Sequence, residues 1–500
     1  MDESAIATNV ARAIATALDW TSSADARAAA FTYLETIKAG DTHVLANTSF
    51  LLVKRDWSSE IRLHAFKMLQ VVHVSENKDT GETHVGTVET VVRHLVRLRW
   101  DQLNPVERRD FANLAVDLMS EIAIPCEEWA LKSQTAALVA EIVRREGPSL
   151  WQELLPSIIT LSNIGPIQAE LVSMVLRWLP EDITVYNEDL EGDRRRILLR
   201  GLSQSLSDIF PLLYTLLERH YGAAIMEAGK QQMDIAKQHA AAVTAAVNAI
   251  NAYAEWASLS DLAKYGIIHG CGFLLTSPDF RLHACEFFKL VSQRKRPVDD
   301  ASVFDVAMRN VFEILMNVTR DFFNRSASST GSSESEIEFA EYMCESLVSL
   351  GSTNLQCIAA DSTIFSFYLQ QMLGFFQNSR LALHYRSLLF WLLLMRDLIS
   401  KSKTAFADVS NMGTGKADIE KRTIALVTDD ICSALLDASF QRMLKKEKVG
   451  SGITPAVGTL ELWSDDFDSK IDFSQYRSRL LCPELFSVAA AIALIIAVIL

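Results

Sequence analysis

The sequence predicts an all-α fold, an α-solenoid of stacked helix pairs. Three observations carry that reading. Amphipathic segments with helical spacing of apolar residues follow one another almost without interruption over 500 residues. Helix breakers are scarce, with 20 Gly and 11 Pro against 49% hydrophobic residues, so connections are short. The length exceeds one ordinary compact core, which leaves several domains or one elongated array. A helix pair every roughly 40–47 residues is the HEAT-type period, and about ten such repeats fit the chain as a right-handed superhelix. The repeat is weak at the level of letters, so the reading rests on helix rhythm. A set of separate bundles is the alternative.

Taken in order, helices are expected at 5–18, 24–39, 42–54, from 59 onward, 105–123, 126–145, 150–161 and 167–179. The rhythm continues at 194–221, 226–257, 260–275, 280–293, 301–323, 336–350, 362–376, 380–401 and 418–446. Start signals support these positions: Ser58-Ser59 before Glu60, Asn104-Pro105, and Gly165-Pro166.

Residues 71–93 interrupt the pattern. The flanks FKMLQ and HLVRLRW read as one helix, whereas the middle alternates apolar residues around Asp79-Thr80-Gly81 like a hairpin. Joining Gln70 to His94 places Ile61, Ala65, Met68, Leu69, Leu95, Val96, Leu98 and Trp100 largely on one stripe. The excursion therefore reads as an insertion within a helix, looped out, with the helix resuming near 91–94. Three further stretches break the rhythm: the Ser-rich 324–334 (NRSASSTGSSE), 402–416, and the Gly- and acid-containing 449–476. The expected organisation is repeats at 1–123 with insertion 71–93, repeats at 124–323, a flexible loop at 324–334, repeats at 335–448, an irregular segment at 449–484 and an apolar tail at 485–500.

The net charge of −14 argues against nucleic-acid binding by the whole surface. Any polyanion site is a local basic face on an acidic body, and an acidic exterior suits basic protein partners. Seven scattered Cys without a CxxC form neither a zinc module nor a disulfide framework, and point to a reducing compartment. The opening MDESAIATNVARAIATALDW lacks the basic start of a secretory signal.

No phosphate loop of Walker type, GxSxG or HExxH occurs, so no enzyme, cofactor or metal is expected. His269-Gly270-Cys271-Gly272 reads as close helix packing through small residues, since positions two apart face different sides. Gly413-Thr414-Gly415-Lys416 lacks the strand and spacing of a phosphate site and reads as a loop. Arg144-Arg145 and Arg294–Arg296 read as solvated cations near helix C-termini. Arg194, Arg195, Arg196 and Arg200 differ, because they open their helix, where cations oppose the dipole; either they are solvated or an anionic partner is expected.

The run 387–395 (SLLFWLLLM) is too short to span a bilayer and reads as a buried helix. The last 16 residues, LFSVAAAIALIIAVIL, are uncharged. They read as an alternative transcript end, with a short tail anchor as the other reading.

Specific stretches carry a resemblance. WSSEIRLHAFKMLQ (57–70) resembles the N-terminal repeat of importin-β-type transport receptors. LKSQ (131–134), AEIVRRE (140–146) with Trp151, QAELV (168–172), LRWLPED (176–182), and GDRRR (192–196) with Leu202-Ser203-Gln204 resemble the plant branch of the exportin-5 family. Together they cover most of residues 5–480 and stop after Arg479-Leu480-Leu481. The resemblance implies a HEAT-repeat nuclear export receptor shuttling between nucleus and cytoplasm. It implies that the first repeats hold Ran-GTP and that a basic inner surface carries structured small RNA such as precursor microRNA hairpins. Nucleoporins are further implied partners; the membrane is not. Residue by residue, Arg62 and Lys67 are the implied Ran contacts, and Arg194, Arg195, Arg196 and Arg200 the implied RNA contacts. Family chains are much longer, so a truncated N-terminal portion is implied.

Overall fold

The computed structural model describes residues 3–68, 71–72, 91–92, 96, 99–184, 191–326, 334–378, 380–407, 427–443, 475–476 and 478–479. The chain divides into two units, Met1–Ala257 and Ser258–Leu500.

The first unit begins with α1 (Glu3–Leu18), α2 (Ala24–Ala39), α3 (Thr42–Leu52) and α4 (Ser59–Met68). After a short strand pair come α5 (Pro105–Ile122), α6 (Trp129–Glu146), α7 (Pro148–Ser162) and α8 (Pro166–Thr184). The unit ends with α9 (Gly192–Gln204), α10 (Leu206–Gly229) and α11 (Met233–Ala254). Local sequence sets several starts. Ser23 and Asp41 accept backbone N–H groups of the first turns of α2 and α3, and Asn104 with Glu107 forms a complete capping box on α5.

Packing follows chain order. α4 packs on α6, α6 on α8 and α8 on α11, while α3, α5, α7 and α10 each pack on the next member of that row. Each pair thus touches mainly its neighbours, as a solenoid requires. Ala242, Ala245, Ala246 and Ala249 are buried on α11 with Val243, Val247 and Ile250, and Leu171, Val172, Val175 and Leu176 are buried on α8. Small side chains let these two helices approach closely. Each buried branched residue contributes about 1.5–3 kcal/mol relative to exposure.

The excursion differs from expectation. β1 (Val71–Val72) pairs antiparallel with β2 (Val91–Val92), Val71 opposite Val92. The helix therefore does not resume at 91–92: the chain there is extended. β-branched valines favour that state, and pairing the two ends closes the excursion at its base. Residues 73–90 and 93–95 lie outside the described residues. Beyond them Val96 and Trp100 are buried, as the joined stripe predicts. The helix expected at 194–221 is two, broken at Ser205, and that at 226–257 breaks around Gln231, whose φ is 63°.

The second unit contains α12 (Leu259–Lys264), α13 (Ile267–Leu274), α14 (Arg281–Ser292) and α15 (Ala301–Ser326). It continues with α16 (Glu334–Thr353), α17 (Ser362–Gln377), α18 (Leu381–Ala407) and α19 (Asp429–Met443). Again there are two rows. α14, α16 and α18 form one; α15, α17 and α19 form the other. Tyr368 knits them, meeting Phe312 and Phe390 edge-on at 5.4 and 5.3 Å and donating to the Leu347 carbonyl at 2.8 Å. A Cβ on Gly272 would lie 3.0 Å from Ile314, so the small residues of His269–Gly272 do serve close packing.

Both units are all-α stacks of HEAT-type helix pairs. The run 387–395 is buried at Leu388, Phe390, Trp391, Leu392, Leu394 and Met395, but Leu389 and Leu393 are exposed. The loop expected at 324–334 is helical at 324–326 and at 334. Its centre, most of 402–416 including Gly413–Lys416, most of 449–484 and the whole tail lie outside the described residues.

Candidate functional site

The cations singled out by sequence fall on α4 and α9, both in the first unit. On α4, Arg62 is buried. Its Nε donates to the Val53 carbonyl at the end of α3 at 3.0 Å, and its Nη1 meets Glu127 at 3.0 Å. The Glu127 side chain is equally buried. This corrects the expectation that Arg62 faces a partner: its guanidinium ties α3, α4 and the start of α6 together. Lys67 lies on α4, and its side chain is outside the described residues.

α9 is held as a fixed platform. Leu198 and Leu202 are buried beneath it. A Cβ on Gly201 would lie 2.5 Å from Pro148 Cβ, so glycine there lets α9 sit directly on the start of α7. Just after α9, the buried Ser205 hydroxyl accepts from the Trp151 indole N–H at 3.2 Å.

The four arginines of α9 separate into distinct roles. Arg194 donates to the Arg144 carbonyl at 3.3 Å and to the Arg145 carbonyl. It thereby satisfies orphan carbonyls at the C-terminus of α6, where a cation also suits the dipole. That resolves the oddity of a cation opening α9: it serves the end of another helix. Arg195 is half-buried, and its Nε is buried without a hydrogen bond. Arg196 pairs with Asp193 one turn back, both largely exposed, an arrangement worth little in stability. Arg200 is exposed. Arg196 and Arg200 lie one turn apart, with the exposed Ile197 beside them. Arg194, Arg196 and Arg200 are all exposed on α9, but the Arg194 guanidinium is turned to the end of α6, which leaves Arg196 and Arg200 as the neighbouring outward pair.

The same use of arginine recurs. Arg99 donates to the Lys38 carbonyl at 2.7 Å and the Gly40 carbonyl at 2.6 Å, closing the end of α2. Arg442 on α19 donates to the Asn378 carbonyl that ends α17. Nothing in sequence spacing marks these residues, because their acceptors lie about sixty residues away. Arg144, expected to be solvated, is fully buried against Glu141 at 3.1 Å. Arg296 forms a two-pronged pair with Asp305 at 2.7 and 2.5 Å, and that hydrogen bonding holds the Asp305 carboxyl below the usual carboxylate range.

One titratable contact went unseen in the sequence. His220 on α10 and His239 on α11 approach to 2.8 Å between ring nitrogens. Burial first, then the neighbouring His239 and Arg219 charges, holds His220 down at about 4. Among the described residues no group of three or more His, Cys, Asp or Glu is placed to hold a metal ion. No helix among them is long and apolar enough to cross a membrane.

Comparison with known proteins agrees with the resemblance read from sequence. A family model described as Exportin-5 family matches residues 334–498, and one described as Exportin 1-like protein matches residues 128–288. The first runs past Leu481, where the quoted motifs stop, and takes in most of the apolar tail. Protein HASTY 1 of Arabidopsis thaliana is 56% identical over 98% of this chain and 40% of its own length. Exportin-5 of Homo sapiens is 27% identical over 57% of this chain and 24% of its own length. The crystal structure of Kap121p matches with a TM-score of 0.40 at 10% identity, over 90% of this chain and 48% of that one. This chain thus spans less than half the length of the curated relatives it matches. With one relative sharing more than half of its residues along nearly the whole chain, and two exportin models matching in both units, the chain belongs to the exportin-5 family of HEAT-repeat nuclear transport receptors.

Proposed function

We propose that this chain is the Ran-GTP-binding and RNA-contacting portion of a nuclear export receptor that shuttles between nucleus and cytoplasm. Its cargo is structured small RNA of the precursor microRNA hairpin type. The observation that carries the RNA reading is the outward pair Arg196 and Arg200 on α9, a helix locked by Gly201 against Pro148 and by Arg194 against the end of α6. Two guanidiniums one turn apart suit phosphate oxygens, and A-form duplexes offer phosphates and shape because their base edges are hidden in a narrow major groove. An acidic body with a small basic face favours such local, backbone-directed contact over non-specific adsorption. Ran-GTP is assigned to the repeats of residues 1–123, with Lys67 as a contact; Arg62 is not among the contacts. Nucleoporin binding accompanies passage through the pore.

A second reading is a HEAT scaffold for protein partners without RNA cargo. It is favoured by the internal use of Arg62, Arg99, Arg144 and Arg194, which leaves a smaller basic surface than the sequence implies.

Two measurements separate these. Pull-down with GTP-loaded and GDP-loaded Ran gives retention of the GTP form only; equal retention, or none, removes the Ran assignment. Titration of a labelled hairpin RNA gives weaker binding for Arg196→Ala/Arg200→Ala, with the loss largest at low salt. Unchanged RNA affinity in that variant selects the scaffold.

A further inference from the structure

In the second unit the start of α16 meets the start of α14 at one buried guanidinium. Arg281 is the first residue of α14 and only 5% exposed. Its Nη1 pairs with Glu336 at 2.6 Å, its Nη2 donates to the Ser335 hydroxyl at 2.9 Å, and the group lies 4.9 Å over the Phe339 ring. Its Nε is buried with no hydrogen-bond partner among the described residues. The positive end of α14 is also poorly balanced. Phe280 at its N-cap gives no side-chain hydrogen bond, and no acidic residue stands in its first turn. A buried cation, an open donor and a helix start without a side-chain cap thus share one place, and α16 begins beside them. Together they favour more negative charge than the partly exposed Glu336 supplies.

Ser335 is the described residue able to bring that charge. It is exposed, its oxygen already touches Arg281, and it is the second residue of α16, in the turn where helices fray. Glu336 and Glu338 follow it at one and three positions. A serine followed by carboxylates at those positions suits a kinase whose peptide groove is basic.

We propose that Ser335 is phosphorylated by an acid-directed serine kinase and that Arg281 captures the phosphate, tying α16 to α14. Transfer forms an ester bond between Ser335 Oγ and the γ-phosphorus of a nucleoside triphosphate. The bond from that phosphorus to the bridging oxygen breaks, the nucleoside diphosphate leaves, and the hydroxyl proton passes to the kinase's base. The product carries about −2 charge and three acceptor oxygens, beside a guanidinium and the free N–H groups that open α16. Glu334, Glu336 and Glu338 oppose that charge. Arg281 prevails because it is buried and little screened, whereas Glu334 and Glu338 are exposed and Glu336 turns to solvent as the phosphate takes its place. The site lies in the second unit and is independent of the arginines of α9.

Treatment of the full chain with casein kinase II and magnesium ATP tests this. Tandem mass spectrometry finds phosphate on Ser335. Hydrogen–deuterium exchange of the amides in the first two turns of α16 then slows about tenfold. Arg281→Gln is phosphorylated equally without that slowing, while the amides of α17 stay protected as a control for folding. In the unaltered chain, the phosphorus resonance that Ser335→Ala removes titrates below the ordinary phosphoserine value of about 6, a reading that needs no Arg281 variant to fold. No phosphate on Ser335 overturns the proposal. So does exchange that is unchanged or faster after modification, a slowing that survives in Arg281→Gln, or a resonance that titrates at the ordinary value.

Discussion

Arg62 and Glu127 form a buried ion pair 65 positions apart in the chain, at 3.0 Å with both side chains 5% exposed. With the Arg62 Nε bond to the Val53 carbonyl, the pair fixes the second helix pair against the third. Arg62→Ala strands Glu127 without a counter-charge and costs about 3–5 kcal/mol, whereas Arg62→Met with Glu127→Leu is near neutral because no buried charge remains. Urea unfolding of the three proteins gives that order. A single variant as stable as the parent would show that the pair does not carry the junction.

The arginines of α9 separate by experiment as they do by position. Arg196→Ala/Arg200→Ala leaves stability within about 0.5 kcal/mol, since both side chains are exposed. It also flattens the slope of log K for hairpin RNA against log salt by about 2, one for each lost phosphate contact. Arg194→Ala behaves oppositely. It destabilises by about 1 kcal/mol through the freed carbonyls of Arg144 and Arg145, and its salt slope stays at the parent value.

Gly201→Val drives a side chain into Pro148, where a Cβ alone already lies 2.5 Å from the proline ring. Stability falls by about 1–3 kcal/mol from overpacking. RNA affinity falls with it, because α9 lifts and its two outward arginines lose their placement. Affinity kept at the parent value in a destabilised variant would detach RNA binding from α9.

Acid sensitivity follows from two buried histidines. His220 is held at about 4 by burial and the charges of His239 and Arg219. His384 is held at about 4 mainly by burial, with its Nδ1 facing the Phe376 carbonyl at 2.5 Å. The ordinary value is 6.5, so between pH 6.5 and 4 the unfolded chain binds protons that the folded chain refuses. Stability is complete above about pH 6.5, declines as pH falls toward 4, and levels off from this cause below that. Urea midpoints at pH 7.5, 6, 5 and 4.5 trace the decline, and His220→Gln with His384→Gln makes it shallower. An equally steep decline in the double variant would place the acid sensitivity elsewhere.

Much of the helical order was readable in advance because its causes are local. Asn104, Pro105 and Glu107 set the start of α5 within four residues, and Asp41 does the same for α3. The break at Ser205 was not readable, since apolar spacing runs on across it, whereas Gly229-Lys230-Gln231-Gln232 does interrupt that spacing at the other break. The hairpin-like alternation within 71–93 was visible in the sequence, but the pairing of Val71–Val72 with Val91–Val92 joins two segments about twenty residues apart, and the helical stripe across the flanks outweighed it.

The sequence by itself determined an all-α stack, its helix caps and its family, because spacing, capping and motif identity act over a few residues. Which arginines face outward was decided only by tertiary structure. Arg194 and Arg196 are two positions apart and read alike. Yet one reaches a helix end fifty residues earlier, and the other pairs one turn back on its own exposed face. A guanidinium is directed by whichever unsatisfied carbonyl or carboxylate the fold brings within reach, and that acceptor is fixed by packing between repeats, not by its neighbours in the chain.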